Sequence, residues 1–219
     1  MERKHRAQEI HQRLLAHFGP PEWKKRPALD ELILTVLSQN TNDRNRDIAY
    51  TAMREKYPTW EDVRIADPKE LIDTVRYAGL ANQKAPRIQG ILNTLHEDKG
   101  ALSLEFLEDM APEDALEWLV SLKGVGPKTA SIVMIFSLEM PAFPVDTHIY
   151  RVSGRIGLRD LSISAEQAHV ELAKLYSPDQ YGHAHLLLIY LGRRICSARK
   201  PKCGDCPIYE LCLFEEKTA

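Results

Sequence analysis

No cysteine occurs in the first 195 residues of the 219-residue chain, and all four lie between 196 and 212. Scattered structural thiols and a disulfide framework are therefore excluded for most of the protein. Long apolar runs are also missing. The longest, "IVMIF" and "LLLIYL", are far too short to cross a bilayer. The opening "MERKHRAQEIHQ" is charged from its second residue and has no apolar core, so it does not read as a secretory signal. We expect a soluble, cytoplasmic protein without a membrane partner. Internal repeats and low-complexity segments are absent, and strand signals nearly so. The formal net charge is only −2, without the basic excess that usually marks nucleic-acid binding. Phosphates respond to the local field, however. Arg193, Arg194, Arg199, Lys200 and Lys202 form a basic stretch with no acidic residue inside it.

What is present is helical periodicity. Hydrophobic residues make up 44% and charged residues 27% of the chain, an ordinary globular balance with enough length for a real core. Leu29, Leu32, Ile33, Val36 and Leu37 form one apolar stripe, and Ile88, Ile91, Leu92 and Leu95 another. "TASIVMIFSLEM" and "HLLLIYLG" are apolar on almost every side and read as central, buried helices. Proline and glycine interrupt the pattern at "GPPEWKKRP", "KYPTW", "ADPKE", Gly100 and "EMPAFP". The expected fold is all-α, with short helices, mostly of two to four turns, joined by tight loops.

In "LKGVGPKTA" one helical pattern ends near Leu122 and another begins near Pro127. Gly124 and Gly126 permit a tight turn, and proline suits the first position of a helix. The stretch is a helix–hairpin–helix whose second helix presents backbone N–H groups suited to a phosphate. Lys128 falls in the first turn of that helix. The positive end of the helix dipole disfavours a cation there and raises the fraction of free amine, as a nucleophilic lysine requires. The competing reading is a lysine in water. Asp146, in "PVDTH", precedes another helical pattern and fits an N-cap. A carboxylate held there in its ionised form can also stabilise a cationic, oxocarbenium-like sugar.

The cysteines read C-x6-C-x2-C-x5-C, from Cys196 through Cys203 and Cys206 to Cys212. Four thiolates in one compact loop suit a metal centre. Zinc favours paired C-x2-C knuckles, of which there is one, whereas an iron–sulfur cube suits wider spacings. Spacing leaves both open.

Together, "LKGVGPKTA", "VDTHIYRV" and "CSARKPKCGDCPIYELC" resemble the endonuclease III family of base-excision repair glycosylases, over most of the chain from "ELILTVLSQNTND" to Cys212. The resemblance implies two helical domains flanking a DNA-binding cleft. One is a helical barrel with the helix–hairpin–helix, over residues 24–134. The other joins residues 1–23 to 135–219 and holds a [4Fe–4S] cluster on the four cysteines. It further implies that Lys128 attacks C1′ of the damaged nucleotide, with Asp146 as its catalytic partner. The product would be a Schiff base that undergoes β-elimination, so the expected enzyme is a bifunctional DNA glycosylase and abasic-site lyase. Its substrate would be double-stranded DNA containing oxidised or ring-saturated pyrimidines or abasic sites, bound by a monomer.

Further DNA contacts are implied for Gly124, Gly126, His148 and the loop residues Arg199, Lys200 and Lys202. His148 is expected to be structural or to contact phosphate. "GLANQKA" is similar to a family segment that supplies an apolar wedge, here Leu80, with Ala81 where an aromatic is common. "LSQNTND" is similar to the segment that fills the void left by the extruded base. Gapless alignment puts Asn40 on the void-filling position, with Gln39 one place earlier and both open as candidates. Thr41, Asn42 and Asp43 are expected beside the same pocket. Pro127 replaces a common basic residue. Two alternatives compete: a monofunctional uracil or mismatch glycosylase, and a non-catalytic DNA-binding protein with a structural metal. The absence of a long extension after Cys212 argues against the adenine-specific branch.

Overall fold

The computed structural model describes residues 2–218. Eleven α-helices occur among them: α1 (Arg3–Phe18), α2 (Ala28–Ser38), α3 (Asp43–Lys56), α4 (Trp60–Ile65), α5 (Pro68–Thr74), α6 (Ala81–Lys99), α7 (Pro112–Ser121), α8 (Pro127–Phe136), α9 (Thr147–Arg155), α10 (Ala165–Ala173) and α11 (Tyr181–Arg194). Short 3-10 turns complete the regular structure, and the described residues contain no strand. The all-α expectation holds. Helix starts follow local chemistry. Asn42, Asp67 and Ser164 cap α3, α5 and α10 through their side chains, and Thr59 and Asp62 close a reciprocal capping box on α4. Two helices outrun the expected four turns: α1 has 16 residues, and α6 continues for 19 through Pro86 and Gly90. Its buried stripe of Ile88, Ile91, Leu92 and Leu95 offsets what the proline and glycine cost.

Two compact units can be distinguished, one of Lys25–Met140 and the other of Met1–Lys24 with Pro141–Ala219. In Lys25–Met140, α2 packs on α8 and α3, and α6 packs on α4 and α5. Helix α8 is buried from Thr129 through Ile135, because its sequence has no polar face to turn to water. The segment after α8 stays with it through Met140 N–H, which donates to Met134 O at 2.9 Å. Asp30 of α2 accepts from Tyr50 Oη at 2.6 Å and from Trp60 Nε1 at 3.3 Å, joining α2 to α3 and α4.

In the discontinuous unit, Ala7, Ile10 and Leu14 of α1 enter a core built with Ile149, Val152, Leu172, Leu187, Leu188 and Leu191. Helix α11 is its centre and packs on α9 and α1. Arg6 donates to Leu211 O, and Gln8 Nε2 to Leu175 O at 3.0 Å, so the first helix is tied to the last third of the chain.

Candidate catalytic hairpin and cysteine loop

The turn between α7 and α8 closes through Val125 N–H, which donates to Leu122 O at 3.0 Å. Gly124 has φ +86°, a left-handed conformation that favours glycine. Gly126 is the N-cap of α8, Pro127 its first residue and Lys128 its second. No side chain caps this helix start and no acidic residue lies in its first turn, so its amides present a positive face suited to an anion. Lys128 is half-buried between Pro127 and the buried Thr129.

Two side chains from elsewhere in the same unit hold this hairpin. Gln39, just past the end of α2, donates from Nε2 to Gly124 O at 3.3 Å and lies 3.5 Å from Thr129 Oγ1. Arg87 of α6 donates from Nη1 to Gln39 Oε1 at 2.6 Å. Gln39 is therefore committed to the hairpin. Its neighbour Asn40 is exposed, with φ +53°. Leu80 shares that unusual backbone, φ +51°, and is 48% exposed despite being apolar. Asp43, in the first turn of α3, pairs with Arg46 at 3.2 Å. The 3-10 turn Arg76–Ala78 and the end of α2 meet at a third polar side chain, Lys84 of α6, whose Nζ donates to Leu37 O and to Ala78 O, each at 2.7 Å. Burial, and then the nearby Arg87, push the Lys84 amine down to about 8.

In the other unit Asp146 caps α9, accepting from Ile149 N–H through Oδ1 at 2.7 Å. The bond fixes the carboxylate at the start of α9. His148 is half-buried, and its Nδ1 lies 3.2 Å from Arg151 Nη2. Arg151 also donates to Gly192 O at 2.9 Å and to Cys196 O at 3.0 Å. One turn later, Arg155 reaches Ser197 O at 2.7 Å, Ala198 O at 2.9 Å and Cys196 Sγ at 3.4 Å. Helix α9 thus carries Asp146 as its cap and holds the start of the cysteine loop from its last turns.

Cys196, Cys203, Cys206 and Cys212 line one cavity, together with Ile156, Leu191, Phe214 and Lys217. All four are free thiols. Among the described residues, no three His, Cys, Asp or Glu side chains converge closely enough to hold a single metal ion. Four thiols around one shared cavity fit a [4Fe–4S] cube, which takes four thiolates. Burial and the neighbouring thiols push Cys206 and Cys212 upward, so each is costly to ionise without a metal. Lys217 donates to Cys212 O at 2.9 Å and to Tyr209 O at 3.1 Å at the edge of the cavity. Arg199, Lys200 and Lys202 are exposed on the loop that this set of bonds shapes.

Sequence reasoning missed Lys84, Arg87, Arg151 and Arg155. The two pairs share one faint signal, basic residues three or four apart on a helix, which ordinarily marks a solvated face.

A family model described as "HhH-GPD superfamily base excision DNA repair protein" matches residues 33–178. A second, the "iron-sulfur binding domain of endonuclease III", matches residues 196–212. Endonuclease III of Thermotoga maritima is 34% identical over 94% of this chain and 92% of its own length. A putative DNA glycosylase of Arabidopsis thaliana, At3g47830, is 34% identical over 85% of this chain and 67% of its own. Among solved structures, a trapped endonuclease III–DNA covalent intermediate superposes with a TM-score of 0.85 at 29% identity, covering 97% of this chain and 96% of that one. On these grounds the chain belongs to the endonuclease III family of helix–hairpin–helix base-excision DNA repair proteins, and its four-cysteine loop is that family's [4Fe–4S]-binding element.

Proposed function

We propose that the protein is a bifunctional DNA glycosylase and abasic-site lyase that excises oxidised or ring-saturated pyrimidines from double-stranded DNA. The observation that carries the proposal is Lys128 itself. It is a half-buried lysine in the first turn of a helix whose uncapped, acid-free start follows a glycine hairpin. Backbone N–H groups there suit a DNA phosphate, and the amine beside them suits the sugar.

In this scheme the neutral Lys128 amine attacks C1′ and the glycosidic bond breaks, its electron pair leaving with the base. Asp146, fixed by its cap, supplies negative charge to the oxocarbenium-like sugar. The nitrogen then loses a proton, the ring opens, and a C1′ Schiff base remains. Loss of a C2′ proton expels the 3′ phosphate, and water releases Lys128. Asn40 and Leu80, both exposed and both at positive φ, are the residues assigned to the gap left by the extruded nucleotide. Gln39, occupied by Gly124 and Arg87, supports the hairpin. Bound by the four cysteines, a [4Fe–4S] cluster supplies iron–thiolate links that lock the loop. Arg199, Lys200 and Lys202 on that loop contact phosphates.

Borohydride trapping tests the scheme on duplexes with an abasic site or a ring-saturated pyrimidine. Wild type should yield a covalent protein–DNA adduct and Lys128→Ala none. Base release without an adduct would indicate the monofunctional alternative. Binding without either would indicate a non-catalytic DNA-binding protein.

A further inference from the structure

Only 1% of Lys84 is exposed, which is unusual for a lysine. Its two acceptors belong to separate segments of the chain. Leu37 stands one residue before the end of α2 and three before Asn40, and Ala78 ends a 3-10 turn two residues before Leu80. Three non-glycine residues adopt positive φ among the described residues, and Asn40 and Leu80 are two of them. Such backbones persist only where the surroundings over-determine them. Here one amine fixes the approach to both.

Resting on the function proposed above, we propose that Lys84 is a positioning residue. Its amine clamps the Asn40 and Leu80 loops to one another, so that both residues are presented together to the gap in the DNA. An apolar side chain of the same length would fill the space equally well but leave two buried carbonyls unpaired. The clamp does not depend on charge, since a neutral amine still has two N–H groups for the two carbonyls. Arg87, one turn further along α6, engages Gln39 and the hairpin and leaves the Leu80 loop to Lys84. The two side chains therefore have separable effects.

The test uses full-length, cluster-loaded Lys84→Met. Amide exchange should quicken together over residues 39–42 and 78–81, while residues 122–126 keep the wild-type rate. Single-turnover excision of a paired ring-saturated pyrimidine should fall at least ~10-fold, as displaced positioning groups cause. Adduct formation on a preformed abasic site, which needs no base excised, should stay within about 3-fold. Faster exchange in one loop only or in neither, or equal losses in both reactions, would overturn the proposal. Wild type inert on both substrates would defeat the functional assignment, and the exchange data would still decide the clamp. If Lys84→Met does not fold, native-state exchange in wild type decides. A common opening rate for the two loops supports the clamp, and unrelated rates reject it.

Discussion

The guanidinium of Arg87 lies across Gly124, so near that a β-carbon built on the glycine would stand 2.0 Å from Nε. Gly124→Ala would force Arg87 aside, breaking its 2.6 Å bond to Gln39, and would place alanine at φ +86°. We expect a loss of about 1–3 kcal/mol, read as a lower unfolding midpoint. In Arg87→Ala the alanine should cost less, about the backbone term alone. The double-mutant cycle should therefore show coupling between the two positions.

Asp146 combines a cap with a charge, and two substitutions separate them. Asparagine caps a helix about as well as aspartate, whereas alanine costs about 1 kcal/mol. Asp146→Asn should therefore unfold within about 0.5 kcal/mol of wild type, and Asp146→Ala about 1 kcal/mol lower. Single-turnover excision should fall severely in both, because both remove the anion. If asparagine retained activity, the carboxylate would be a cap alone.

The exposed Lys200 and Lys202 should each neutralise one phosphate. Changing either to alanine should weaken binding alike on every DNA sequence and flatten the plot of log affinity against log salt by about 0.9 per contact. Lys174→Ala serves as the control, since Lys174 is occupied by Glu171 at 2.9 Å. Its slope should match wild type. Fluorescence anisotropy across a salt series gives both numbers.

Tyr50 predicts the alkaline limit. Burial, and then its bond to Asp30, raise its hydroxyl above the ordinary value near 10. A group whose folded pKa is raised contributes fully below its unfolded pKa, and the contribution is lost as pH climbs toward the folded one. Stability should therefore hold to about pH 10 and then decline. Tyr176, raised by burial alone, adds to the decline. Tyr50→Phe should cost about 1 kcal/mol at neutral pH. That gap from wild type should narrow above about pH 10 in urea unfolding.

Local signals account for what could be read without coordinates. The end of α7 at Ser121, the start of α8 at Pro127 and the Asp146 cap each depend on residues within one turn of one another. The cysteine loop was legible because its four thiols fall within 17 residues, and the iron–sulfur family model matched to residues 196–212 separates cluster from zinc where spacing could not. Lys84 was illegible because a lysine early in a helix reads as solvated, and one of its carbonyl partners lies 47 residues away. Gln39 and Asn40 are adjacent amides that pattern cannot tell apart. Only the bonds to Gly124 and Arg87 show that Gln39 is taken.

The discontinuity of one unit has a consequence for biosynthesis. Lys25–Met140 is a continuous stretch and can fold as soon as it clears the ribosome. Helix α1 is made earlier but joins a core whose other members all lie beyond Met140, and Arg6 finds its acceptor at Leu211. During translation α1 therefore waits for its core until the chain beyond Met140 has been made. Capture of α1 and completion of the cysteine loop therefore both follow the synthesis of α9 to α11.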